Sequence, residues 1–113
     1  MPVTIQILLE QYTEELKKIY GTHLRSVILY GSYARGDYRG DSDIDVCILL
    51  DLSDMEIKEY RHKLSNVTFD FNMEHDLDIK PIAKAENHFK KWMEVYPFYA
   101  NIRKEGVKLF DAA

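Results

Sequence analysis

Gly31-Ser32-Tyr33-Ala34-Arg35-Gly36-Asp37-Tyr38-Arg39-Gly40-Asp41-Ser42-Asp43-Ile44-Asp45 is the stretch on which the reading of this chain turns. A Gly-Ser pair ends the apolar run Ser26-Val27-Ile28-Leu29-Tyr30. Ten intervening residues later, Asp43-Ile44-Asp45 opens a second run, Val46-Cys47-Ile48-Leu49-Leu50. Two aspartates separated by one residue on a β-strand project to the same side. Their Cα atoms lie roughly 6.5–7 Å apart, which lets both carboxylates reach one divalent cation. The glycine and serine ahead of them can hold phosphates through backbone N–H groups and a hydroxyl. A carboxylate pair beside a phosphate cradle suggests a nucleoside triphosphate.

Outward from this stretch, the pattern alternates helices and strands. Ile44, Val46, Ile48 and Leu50 share one face of the strand 43–50, and Asp43, Asp45, Cys47 and Leu49 the other. Past Asp45 the strand is almost continuously apolar, so both faces should be covered. Ile5, Leu8, Leu9, Tyr12, Leu16, Ile19 and Tyr20 recur at helical spacing, predicting a helix over 4–20 with Thr4 at its start and Gly21 at its end. Ser53 is placed to cap a long helix from Asp54 to about Phe71, and 77–82 reads as a third strand whose Pro81 suggests an edge. A short helix over 85–94, a further helical segment from Pro97 closed by Gly106, and a last strand or packed tail at 107–110 complete the order. The expectation is a single α/β domain spanning 1–113, with a small sheet flanked by helices.

Composition narrows the classes of function. The chain is 46% hydrophobic and 30% charged, ordinary for a folded globular protein. No apolar run approaches a membrane span, and Met1-Pro2-Val3-Thr4-Ile5-Gln6 lacks the pattern of a secretion signal. Cys47, the single cysteine, cannot form an internal disulfide, which fits a cytoplasmic location. A net charge of −4 argues against stable nucleic-acid binding. The charge is uneven: residues 1–78 carry 8 Lys and Arg against 15 Asp and Glu, and residues 79–113 carry 7 against 4. The basic end suits an acidic partner or a triphosphate, or is a solvated helix surface.

Gly31 and Gly36 have the glycine spacing of a P-loop, but Asp37-Tyr38 stands where Lys and Ser or Thr are required, and that reading is rejected. Asp43 and Asp45 have a structural alternative, a turn cap and an idle strand end. Against it, aspartate is depleted in strands and two on one face repel. A divalent cation would relieve that repulsion, and oxygen ligands favour Mg²⁺ or Mn²⁺. A two-metal site needs a further carboxylate from a neighbouring strand. Asp78, flanked by Leu77 and Ile79, is the candidate, with Asp76 the rival two residues earlier. Arg35 and Arg39 flank the glycines and either touch phosphate or, for Arg35, brace the loop against Asp37 or Asp41. Lys80 shares a face with Asp78 and is placed to pair with it. The four histidines show no common ligand spacing. Phe89, Trp92, Phe98 and Tyr99 are assigned to the core in preference to the alternative, a base-stacking platform, and Cys47 to the core in preference to a nucleophile.

Gly31-Ser32, the ten-residue gap and Asp43-Ile44-Asp45 between two apolar strands resemble the signature of the nucleotidyltransferase superfamily related to DNA polymerase beta. The small size and the string from Gly31 to Val46 resemble its minimal (MNT) branch, and Pro97-Phe98-Tyr99 through Phe110 resembles the C-terminal end of such proteins. The resemblance implies a polymerase beta-like α/β fold with a small mixed sheet. It implies that Gly31 and Ser32 bind nucleotide, with Arg35 the neighbouring basic residue placed to join them, and that Asp43, Asp45 and Asp78 hold two Mg²⁺ ions. The implied reaction is transfer of NMP, AMP from ATP above all, to a hydroxyl. In the resembling family many stand-alone members are antitoxins that transfer AMP to a tyrosine of a HEPN-domain toxin, and this is the implied partner. The alternative is an antitoxin that neutralises its partner by binding alone. The acceptor, the base specificity and the oligomeric state are not legible in the residues.

Overall fold

The computed structural model describes residues 2–112. Helix α1 (Val3–Tyr20) leads through a 3₁₀ turn (Gly21–His23) into strand β1 (Leu24–Tyr30). A one-turn helix α2 (Ser32–Arg35) and a loop precede β2 (Ile44–Leu50), followed by α3 (Asp54–Glu59), α4 (Arg61–His75), β3 (Ile79–Ala85), α5 (Glu86–Trp92), α6 (Pro97–Glu105) and β4 (Val107–Asp111). The four strands form one mixed sheet in the order β3-β2-β1-β4, with β1 antiparallel to both β2 and β4 and β2 parallel to β3. The result is a mixed α/β architecture, a small sheet with helices on both faces.

The alternation along β2 sorts the core into two. Ile44, Val46, Ile48 and Leu50 join Val27 and Leu29 of β1 beneath Leu9, Tyr12 and Leu16 of α1 and Phe71 of α4. Cys47 and Leu49 face the other way, with Ile28, against Phe89 of α5 and Tyr99 and Ile102 of α6. Both faces are therefore dry, as the unbroken apolar run requires. Across the first core, the Tyr12 hydroxyl and Thr68 Oγ1 form a buried hydrogen bond of 2.7 Å. Among the described residues, no helix is long and apolar enough to cross a membrane.

Several boundaries differ from the sequence reading. α1 begins at Val3 after Pro2, so Thr4 lies inside the helix and makes no cap; Gly21 does close it, donating to the Lys17 carbonyl. The helix expected over 54–71 is two helices. Ser53 caps α3 with a complete capping box to Glu56. The chain then bends at Tyr60, whose N–H bonds back three residues to the Ile57 carbonyl and whose ring packs on Tyr20 with centroids 5.1 Å apart. Reaching α1 with that ring is what the break accomplishes. α4 continues through Val67-Thr68-Phe69 to His75 and is closed by Asp76 in the left-handed conformation (φ 54°, ψ 50°). Asp76 is thus a helix cap and lies outside β3, as it would have to if the strand does not begin that early. β3 starts two residues later than expected and runs to Ala85. Its start is clamped by the Asn72 side chain, which accepts from the Ile79 N–H (2.9 Å) and donates to the Ile79 carbonyl (3.2 Å).

Candidate active site

The register explains why residues far apart in sequence meet. β1 ends where β2 and β3 begin: Tyr30 lies opposite Asp45, and Ile44 opposite Ile79. Gly31, Asp43, Asp45 and Asp78 therefore collect at one edge of the sheet. Asp78 stands just outside β3, yet its carbonyl accepts the Ile44 N–H at 2.9 Å, so the sheet ladder itself fixes Asp78 beside Asp43.

Gly31 has φ 76° and ψ −153°, a conformation essentially reserved for glycine. It also packs directly on the Asp45 carboxylate: a Cβ here would overlap Oδ2 and stand 3.3 Å from Cγ. The chain then turns into α2, held by Arg35 N–H to the Gly31 carbonyl (3.0 Å) and Gly36 N–H to the Ser32 carbonyl (2.9 Å). The Arg35 guanidinium donates to Asp37 and to Glu105 of α6, both at 3.2 Å. Of the two roles open to it, bracing the loop against Asp37 is realised, and Glu105 is an additional partner. Ser42 shapes the turn before β2, its hydroxyl accepting the Arg39 N–H at 2.7 Å.

These residues border an open cleft of about 400 Å³ lined by Tyr30, Gly31, Ser32, Arg35, Ser42, Asp43 and Asp45, with Phe98, Asn101, Ile102 and Glu105 of α6 forming the opposite wall. Asp78 lies 3.3 Å from Lys80 Nζ, the pairing expected of Lys80, but it does not line the cleft. Interaction with the Asp78 carboxyl and partial desolvation raise the Asp43 pKa. The same interaction, with help from Lys80, lowers that of Asp78. Burial, then the charge of Asp43, raises Asp45, and the more distant Arg35 offsets this only in part. The negative charge at the Asp-x-Asp pair is thus under-compensated by the protein, the state a cation would relieve.

Among the described residues, no three His, Cys, Asp or Glu side chains form a ready-made metal cage. Mg²⁺ is commonly held by one or two carboxylates with phosphate and water completing its shell. Asp43 and Asp45 fit this donor set. Burial pushes the Cys47 thiol up to about 12, so it behaves as a core residue. Phe89 and Tyr99 are buried as expected, whereas Phe98 is 49% exposed on the cleft wall and is not a core residue. The sequence reading also passed over Asn72, Asn101 and Glu105. Asn101 and Glu105 stand three and seven residues after Phe98, a helical stripe that could have flagged them.

A family model described as "Nucleotidyltransferase domain" matches residues 9–108. Two Methanocaldococcus jannaschii proteins whose names propose protein adenylyltransferases are similar to the chain. One is 30% identical over 90% of this chain and 94% of its own length. The other is 33% identical over 90% and 95%. Among solved structures, a Sulfolobus solfataricus protein whose name proposes a nucleotidyltransferase superposes with a TM-score of 0.68 at 20% identity, covering 97% of this chain and 83% of that one. A chain in the complex of the tri-AMPylated Shewanella oneidensis HEPN toxin with an MNT antitoxin superposes with a TM-score of 0.54 at 17% identity, covering 95% and 73%.

Proposed function

The chain belongs to the nucleotidyltransferase domain family, and from that premise we propose that it transfers AMP from ATP to a tyrosine of a HEPN-domain toxin and so acts as an antitoxin. The observation that carries this reading is the placement of Asp43 and Asp45 at the sheet edge, against Gly31, with both carboxyl pKa values raised. Asp43 and Asp45 would hold Mg²⁺. Asp78, set beside Asp43 at the sheet edge and paired with Lys80, would complete the acceptor side. Gly31 lets the triphosphate approach the backbone, and Ser32 and Arg35 bind its oxygens. When bound, Mg²⁺ would supply charge neutralisation for an in-line displacement at the α-phosphorus, with pyrophosphate departing. The chain's own part is to position these groups. The partner and the nucleotide are supported by the toxin–antitoxin complex with the same fold, and AMP transfer by the names of the relatives.

The test is mass spectrometry of a HEPN partner co-expressed with this chain. An AMP adduct on a tyrosine is expected with the wild type and none with an Asp43→Asn/Asp45→Asn double variant. A partner left unmodified by the wild type with Mg²⁺ and ATP refutes the proposal. If the double variant still silences the toxin fully, binding alone is the mechanism.

A further inference from the structure

The cleft has a wall that the phosphate and cation chemistry does not use. Phe98, Asn101, Ile102 and Glu105 follow one another at i, i+3, i+4 and i+7 along α6, so one stripe of that helix faces the cleft. The stripe is graded. At its C-terminal end Glu105 is tied to Arg35, beside the phosphate loop. At its N-terminal end, about 10 Å away along the helix axis, stand Phe98 and Tyr30. Their rings meet at 88° with centroids 5.8 Å apart. Tyr99, the next residue, is buried, while Phe98 keeps 49% of its surface open.

Resting on the nucleotide reading above, we infer that α6 forms the nucleobase subsite of this cleft, with Phe98 as the stacking platform and Asn101 as the reader of the base edge. A half-exposed aromatic ring inside a polar cleft gains most from a flat apolar ligand, and every nucleobase offers one. The perpendicular contact with Tyr30 fixes the ring without covering it. One turn along the same wall, the exposed Asn101 carries an amide donor and an acceptor side by side. On the edge that carries N7, that pair matches the N7 acceptor and the N6 amino donor of adenine, and it mismatches guanine, where N7 and O6 both accept.

Calorimetric titration in Mg²⁺ tests this, using α,β-methylene-ATP and inorganic tripolyphosphate as probes with and without a base. Phe98→Ala and Phe98→Leu should weaken the ATP analogue on the order of ten- to a hundredfold, while tripolyphosphate binding stays at the wild-type value and Phe98→Trp retains analogue binding. Asn101→Leu should erode the preference for the adenine analogue over its guanine counterpart. Thermal melts of each variant verify the fold; Phe98→Trp and Phe98→Leu preserve bulk if alanine does not. The inference is overturned if the Phe98 variants bind the analogue as the wild type does, a result that would make this wall a contact for the protein acceptor. It is equally overturned if both probes weaken together. A wild-type protein that binds neither probe sinks the nucleotide reading itself, whereas tight tripolyphosphate binding with an indifferent Phe98 sinks only the base subsite.

Discussion

Replacing Gly31 by alanine tests the close approach on which the site is built. The cost has two separable parts. The backbone there (φ 76°, ψ −153°) lies in a region that side-chain-bearing residues avoid. Holding alanine in it costs about 1–3 kcal/mol. For a domain of this size that lowers the melting temperature by roughly 4–12 °C. The second part is local: the new Cβ overlaps Asp45 Oδ2, so either the carboxylate or the loop must move. Misplacing a catalytic group by about 1 Å costs on the order of a hundredfold in rate. Gly36→Ala is the control. Gly36 is also left-handed (φ 86°, ψ 6°), but a Cβ there meets nothing within 4 Å. Thermal melts combined with transfer of radiolabelled AMP to the HEPN partner read both parts. Both variants should melt lower, and only Gly31→Ala should lose about two orders of magnitude in transfer rate. If Gly31→Ala transfers at the wild-type rate, or Gly36→Ala loses as much, the packing of Gly31 on Asp45 does not position the carboxylate.

Two further outcomes follow from the same geometry. Burial raises the Asp45 pKa above its ordinary 3.8, so its contribution to stability is fully present below that ordinary value and is lost as pH rises through the raised one. Ligand-free Asp45→Asn should therefore melt above the wild type at neutral pH, with the gap closing on acidification and Mg²⁺ plus ATP stabilising only the wild type. A lower melting temperature for the variant at neutral pH would contradict the electrostatic account. In the core, Tyr12→Phe leaves the buried Thr68 hydroxyl without the partner it has at 2.7 Å, at a cost of about 1–3 kcal/mol in urea unfolding. Tyr12→Phe/Thr68→Val should cost less than the sum of the single changes, and strict additivity would show that the pair is not coupled.

Local patterning carried most of the fold. Alternation along 44–50 assigned every residue of β2 to the face it occupies, and the two cores follow from it. The capping box at Ser53 and the turn glycine after Tyr20 were equally readable, because each involves neighbours within four residues. What escaped depends on contacts across the fold. The break at Tyr60 comes from its ring seeking Tyr20, forty residues away. The late start of β3 comes from the Asn72 clamp. Phe98 and Tyr99 read alike as apolar neighbours. A helix turns about 100° per residue, so with Tyr99 buried the neighbouring Phe98 is carried to a different side of α6.

The same distinction explains why the Asp-x-Asp pair could be read with a spacing rule and the third carboxylate could not. Asp43 and Asp45 share a side because a strand alternates with a period of two, a property of the chain itself. Asp78 reaches them through the pairing of β3 with β2, and its side chain belongs to no strand. What fixes its place is the bond from the Ile44 N–H to its carbonyl, reinforced one residue on by Asn72. Between Asp45 and Asp78 the chain may lengthen or shorten by whole turns of α4 without disturbing that edge of the sheet, provided the clamp and the ladder are kept. Asp76, two residues earlier, is spent on closing α4 and is carried away from the edge by its left-handed turn.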